Sequence, residues 1–269
     1  MARFAVLVTW LAFSTSAFAA DMAVKAPPLP PAPVNSWTGF YVGGDIGWAD
    51  LRQNGTTLAS PPGFGPPPVG GAGVIGLGLA PTDQSLDSRS GLGGIYTGYN
   101  WQTGNWVLGI EADINWLRRN SSNAQNLIET CCANAPTGPM QLTATNDWLA
   151  SARGRVGILA NSNWLLYITG GAAWTKTSYG ASATVQAGPT ANAAFSRIDT
   201  GFALGAGGEW MFAPHWIARL EYLYYQFHGA SGNAPLVGAT GSCTTVCSFN
   251  VNFSDLKINT VRGGLSYKF

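Results

Sequence analysis

The chain has 269 residues, a formal net charge of +1 and 46% hydrophobic residues, which excludes general disorder and offers neither a basic field for nucleic acid nor an acidic tail. Only 10% of residues are charged while 12% are aromatic, eleven of them Trp. Ordinary soluble proteins carry roughly 25% charged residues, so few charges with many Trp and Tyr suit a surface that meets lipid.

Arg3, the apolar run Phe4 to Phe13 and the small-residue site Ala17-Phe18-Ala19 read as a secretory signal over residues 1–19, with the mature chain starting near Ala20. The alternative, an uncleaved anchor helix, needs an apolar run of ~20 residues, and this one is shorter. Residues 20–36 are Pro-rich and read as an extended periplasmic linker, with a partner-binding polyproline segment as the other reading.

Strand signals begin at Trp37. Trp37 to Ala49 places Phe40, Val42, Ile46 and Trp48 on one face and Tyr41, Gly43, Asp45 and Gly47 on the other. A long Pro/Gly stretch from Asp50 to Arg89 reads as a loop, because proline and glycine at that density break helices. The second strand, Ser90 to Trp101, has glycines that leave its facing open. The third, Trp106 to Leu117, alternates Leu108, Ile110, Ala112, Ile114 and Trp116 with Val107, Gly109, Glu111, Asp113 and Asn115.

A polar loop is expected from Arg118 to Asn146. The fourth strand, Asp147 to Ala160, turns Ser151, Arg153 and Arg155 to one face, and the fifth, Trp164 to Tyr179, leads into a loop over Gly180 to Ser196. In the sixth, Arg197 to Phe212, Glu209 opposes Trp210. In the seventh, Trp216 to His228, Arg219 and Glu221 oppose Trp216, Leu220 and Tyr222. After a loop over Gly229 to Ser254, the final strand alternates Val261, Leu265, Tyr267 and Phe269 with Arg262, Ser266 and Lys268.

The tally is eight strands, three short turns and four long loops in alternation. That asymmetry predicts an all-β fold: an eight-stranded, antiparallel, up-and-down transmembrane β-barrel over 37–269, with short periplasmic turns and four long external loops. The final strand pairs with the first and removes the sheet edge. Trp101, Trp106, Trp164, Trp210, Trp216 and Phe269 are expected to form an aromatic girdle at the turn end, and Trp48, Trp116, Trp148 and Trp174 lie near the opposite ends.

The charges then acquire an address. Asp45, Glu111, Asp113, Glu209 and Glu221 share the inner face with Arg153, Arg155, Arg219, Arg262 and Lys268. A lipid-facing charge costs about 2–4 kcal/mol near the midplane, and an eight-stranded barrel has room for side chains and little else. A packed, ion-paired lumen is therefore expected, with a small diffusion channel as the alternative.

No catalytic site is expected. Glu111 and Asp113 lie two apart opposite arginines and read as ion-pair partners. A base is scarce: His215 sits in a turn, and His228 ends a strand, separated from Ser231 by the flexible loop that Gly229 and Ala230 start. The glycine cluster at 205–208 lacks the strand-turn-helix context of a dinucleotide fingerprint. Two histidines and no CxxC spacing argue against zinc. Cys131, Cys132, Cys243 and Cys247 are expected to form loop disulfides in an oxidising periplasm, with three pairings open. No cofactor is expected, and nothing in the sequence specifies an oligomeric state.

Several blocks together, WTGFYVGGDIGW, GYNWQTGNWVLGIEADINW, ARGRVGI, LLYITGG, ARLEYLYYQF and NTVRGGLSYKF, resemble small alphaproteobacterial outer-membrane barrels described as outer-membrane immunogenic or porin-family proteins, akin in architecture to the OmpA-like barrel. The resemblance covers most of the mature chain outside its loops. It implies a surface-exposed envelope protein of the outer membrane, without a known catalytic site, among outer-membrane lipid and lipopolysaccharide, inserted by the barrel assembly machinery. It also implies that Tyr267 and Phe269 end the signal which that machinery reads. Some similar proteins bind haem at the surface, but no motif carries that over. A lipid-modifying activity is the remotest reading.

Overall fold

A computed structural model describes residues 36–60, 83–126, 139–184, 190–237 and 248–269. The expected signal, nearly all of the linker and the four cysteines with their pairing lie outside the described residues. The strands are β1 (Gly39–Arg52), β2 (Asn54–Ser60), β3 (Asp83–Ser85), β4 (Ser88–Thr103), β5 (Trp106–Asn126) and β6 (Pro139–Asn161). Then come β7 (Trp164–Thr184), β8 (Thr190–Ala213), β9 (Trp216–Phe227), β10 (Ala230–Val237), β11 (Ser248–Phe253) and β12 (Leu256–Lys268).

Eight strands close a ring, every neighbour antiparallel: β1, β4, β5, β6, β7, β8, β9, β12 and back to β1. Ile46, Ile95, Ile110, Ile168, Leu204, Leu220 and Val261 are exposed on its outside, in an apolar band suited to lipid. The facing of β4 is settled: Leu92, Tyr96 and Asn100 point inward, and Ile95 and Trp101 outward.

The ring is taller on one side than a bilayer requires. A tilted spanning strand needs about 9–11 residues, whereas β5 to β8 have 21 to 24. At about 3.3 Å per residue they run roughly 70–80 Å. The stretches expected as loops at Arg118 to Asn146 and Gly180 to Ser196 are therefore, where described, largely strand continuing above the lipid band. β2, β3, β10 and β11 occupy parts of the other two expected loops. The sheet order β3-β2-β11-β10-β8-β7-β6-β5 makes an upper storey. Its two edges meet through side chains, with Asn123 Nδ2 donating to the Ser85 carbonyl at 2.9 Å and Gln125 Nε2 to the Asp83 carbonyl at 3.4 Å.

The loop reading failed for a physical reason. Above the lipid the outer face meets water, so Ser, Thr, Asn and Ala replace the outward hydrophobes and amphipathic contrast collapses. Inward apolar residues persist at alternate positions, including Met140, Leu142 and Ala144 on β6 and Val251 and Phe253 on β11.

The two storeys join at one level. Four strands break there, at Gln53, at Leu86-Asp87, at His228-Gly229 and at Ser254-Asp255, while β5/β6 and β6/β7 shift register at Trp116/Arg119 and Asn146/Leu149. Arg119 is the common contact: Nη2 donates to the Leu86 carbonyl at 2.5 Å, and Nη1 to Gln53 Oε1 at 3.2 Å and Asn146 Oδ1 at 3.0 Å. Asp255 accepts from the Gly229 backbone N–H and the Gln226 amide, which hold its carboxyl below the usual carboxylate range.

Candidate functional site

The lumen is filled in layers. At the turn end Trp37, fully buried, packs with Val107, Leu165, Tyr167, Met211 and Ile217. Trp37 was expected to open the first strand, but the strand starts at Gly39, where φ is +144°. A Cβ at Gly39 would stand 2.9 Å from the Phe269 carbonyl oxygen, so this bend needs glycine. The bend lets Trp37 fold under the ring, its backbone N–H on Gln102 Oε1 at 2.7 Å and its indole Nε1 on the Ser162 carbonyl at 3.1 Å.

Above it lies a lattice of four arginines and five carboxylates contributed by β1, β5, β6, β8, β9 and β12. Arg153 is its hub, bonded to Glu111 at 2.7 Å, Asp113 at 2.9 Å and Glu221 at 3.1 Å. Arg155 grips Glu209 with both terminal nitrogens at 2.8 and 2.6 Å, a bidentate pair. Arg219 reaches Glu111 at 2.6 Å, and Arg262 joins Asp113 at 3.1 Å to Glu221 at 2.7 Å. Asp45 is held more loosely, 3.4 Å from Arg262 and 3.6 Å from Arg219, with no hydrogen bond to either.

Three tyrosines, absent from the sequence-based set, complete the lattice. Tyr41 donates to Glu111 at 2.7 Å and Tyr167 to Glu221 at 3.1 Å. The Arg219 guanidinium lies 3.6 Å from the centre of the Tyr96 ring. Gly98 makes room, since a Cβ there would strike the Tyr41 hydroxyl. Inward parity was the available signal for Tyr41 and Tyr167, whereas Tyr96 lies on the strand whose facing the sequence leaves open.

Lys268 departs from expectation. It is buried, but its Nζ donates to the Thr38 carbonyl at 3.4 Å and pairs with no carboxylate among the described residues. Its backbone explains this: Lys268 sits at the rim, its N–H on the His215 carbonyl and its carbonyl on His215 Nδ1, below the plane of the acids.

Over the lattice come an apolar layer that includes Leu51, Leu117, Leu149, Tyr225 and Phe227, then the Arg119 belt, then a cap in which the tilted rings of Tyr179 and Phe253 pack with centroids 4.3 Å apart. The lumen is occupied at every level described.

On the outside, Trp101, Trp106, Trp164, Trp210, Trp216 and Phe269 are all exposed at the turn end. Trp164 stacks on Trp210 at 5.8 Å, and Tyr267 touches both Trp216 and Phe269, at 5.3 and 5.2 Å. The Phe269 N–H is bonded to the Phe40 carbonyl at 2.9 Å.

For catalysis the arrangement offers little. Glu111 and Asp113 are tied to guanidiniums, no hydrogen bond joins His228 to Ser231, and no metal-holding group of His, Cys, Asp or Glu occurs among the described residues.

The family profile and the sequence relatives agree with this architecture. The family profile described as outer membrane protein beta-barrel domain matches residues 5–269. The 31 kDa outer-membrane immunogenic protein of Brucella melitensis is 31% identical over 271 residues, covering 96% of this chain and 95% of that one. The 22 kDa outer membrane protein of Rhizobium leguminosarum bv. viciae is 27% identical, over 74% of this chain and 68% of its own. Among solved structures, the outer membrane protein OprG of Pseudomonas aeruginosa aligns at 12% identity and a TM-score of 0.47, over 86% of this chain and 96% of its own. With an inward-charged, outward-apolar closed ring and a profile match over nearly its whole length, the chain belongs to the outer membrane protein beta-barrel family.

Proposed function

We propose that this outer-membrane barrel is a structural, non-catalytic component of the envelope, closed to solutes and displaying its upper storey at the cell surface. The observation that carries the reading is the filled lumen, with Trp37, the arginine-carboxylate lattice and the Tyr179–Phe253 cap stacked along one axis. A conducting pore of this strand number would need the lattice to part, and each arginine in it answers at least one carboxylate within 3.1 Å.

Planar-bilayer recording of refolded protein tests this. No discrete single-channel steps are expected. Reproducible unit conductance from heat-modifiable, folded protein would replace the closed-barrel reading with the diffusion-channel one.

Assembly supplies a second test. The Phe269 ring packs 5.8 Å from Phe40 on the outside of the ring, and one backbone bond to β1 is its polar contribution. Deleting Phe269 is expected to leave the unfolding midpoint of refolded barrel nearly unchanged while lowering the inserted amount in cells several-fold, through loss of the terminal signal for the assembly machinery. Equal amounts of inserted truncated and full-length chain in fractionated membranes would refute that role.

A further inference from the structure

Every Lys and Arg side chain among the described residues has one of two addresses. Arg119, Arg153, Arg155, Arg219, Arg262 and Lys268 are buried within the barrel. The remainder, Arg52, Arg89, Arg118, Lys176, Arg197 and Lys257, are exposed, and all stand just above the outer Trp level. Arg52 follows Trp48 on β1, Arg118 follows Trp116 on β5, and Lys176 follows Trp174 on β7.

Four of them fall on four consecutive strands of the ring. In the ladder Lys257 of β12 is directly opposite Arg52 of β1, and Arg89 of β4 is opposite Asp50 of β1. Arg118 of β5 comes next, its backbone N–H and carbonyl both bonded to the Ser90 hydroxyl. Three strand spacings separate β12 from β5, roughly 14 Å, wide enough for a disaccharide headgroup.

Of the acids nearby, Asp50 lies within the arc and offsets part of its charge, while Asp87 and Asp255 are held by neighbouring amides. Asp50 bridges Arg52 at 3.0 Å and Arg89 at 3.7 Å, Asp87 accepts the Gln53 backbone N–H, and Asp255 accepts from Gly229 and Gln226. Among the described residues, Arg118 and Lys257 have no carboxylate within ion-pair distance. Like charges directly opposite in a ladder destabilise it, and Arg52 with Lys257 is such a pair. An arc that keeps this repulsion on its outer surface, at headgroup height, suits an anionic lipid surface.

We propose that Arg52, Arg89, Arg118 and Lys257 form a binding arc for the phosphoryl groups of the phosphorylated glycolipid in the outer leaflet. The inference rests on the reading of the barrel as outer-membrane, with the long-strand end outward. Phosphate oxygens would accept from the guanidiniums and the ammonium, while the acyl chains lie against the apolar band around Ile46 and Ile110.

The test uses refolded full-length protein in detergent, its barrel verified by heat-modifiable migration, titrated with purified lipopolysaccharide and with the same material dephosphorylated. The unsubstituted protein is expected to prefer the phosphorylated form at least tenfold, with affinity falling as salt rises. The triple variant R89Q/R118Q/K257Q, which keeps Arg52 on Asp50, is expected to lose about that factor on the phosphorylated form and to change little on the other. Phosphatidylglycerol micelles and inorganic phosphate at equal phosphorus are expected to compete poorly. Equal binding of the two lipopolysaccharide forms, an unaltered triple variant, or full competition by phosphatidylglycerol would each overturn the proposal. If the triple variant does not refold, the comparison of the two lipid forms on the unsubstituted protein still decides. A barrel that fails to bind yet migrates as folded and does not conduct leaves the closed-barrel reading standing.

Discussion

Arg153→Ala is expected to lower the stability of the folded barrel by about 3–5 kcal/mol, the usual cost of removing one partner of a buried ion pair. The side chain is fully buried, and its loss leaves Glu111, Asp113 and Glu221 sharing a space from which their common guanidinium has gone. Arg219 and Arg262 still join β5 to β9, so the damage concentrates at β6, whose Arg153 no longer ties Glu111 and Asp113 to Glu221. Denaturant unfolding in detergent, or the temperature at which heat-modifiable migration collapses, reads the effect. Exposed Arg89→Ala, the control, should stay within roughly 0.5 kcal/mol. Matching midpoints for Arg153→Ala and the unsubstituted protein would remove the lattice from any account of stability.

A buried lattice is not the most stable filling a barrel can have, because hydrophobic replacements of equal volume often match or exceed buried ion pairs. Its contribution lies in register. A one-residue slip of β5 would carry Glu111 and Asp113 to the lipid side, where each charge costs about 2–4 kcal/mol. The lattice therefore penalises wrong pairings more strongly than it rewards the right one.

Trp37→Ala is the second large effect expected, about 3–5 kcal/mol for truncating a fully buried Trp. The cavity would open beneath Tyr167 and Met211, and Gln102 Oε1 and the Ser162 carbonyl would stand at its rim. Trp37→Phe keeps most of the packing and loses the indole bond, so a loss nearer 1 kcal/mol is expected. Thermal unfolding ranks the three proteins. Because the arginine lattice lies above, Trp37→Ala should remain non-conducting; channel activity in it would mean that Trp37 alone seals the barrel. An unaltered midpoint would show that Trp37 does not hold the turn end.

The sequence made the lipid-spanning half legible because lipid imposes a strict contrast. Leu108, Ile110 and Ile114 against Glu111 and Asp113 can be read no other way once strand period is assumed. The upper storey lacked that contrast. Thr143 and Thr145 on the wet face are barely more polar than Ala144 on the dry one, so β6 beyond Asn146 looked like loop. Trp37 was hidden for another reason: its parity continues that of β1, and only the positive φ at Gly39 breaks the strand. Arg119 was hidden by its neighbour, since Arg118-Arg119 reads as a solvated pair although one points out and the other into the belt.

The level at which four strands break while β5 to β8 run through divides the wall into unequal mechanical members. On the β5–β8 side, load applied to the surface storey is borne by unbroken backbone, by a β7/β8 ladder continuous down to the lipid band, and by β5/β6 and β6/β7 ladders that shift register at the junction. On the opposite side the same load crosses joints of one or two residues, held by bonds such as Gln53 to Ser254 and Gly229 to Asp255. The protein is thus a stiff half-cylinder with a jointed front, and the exposed surface is braced from its back.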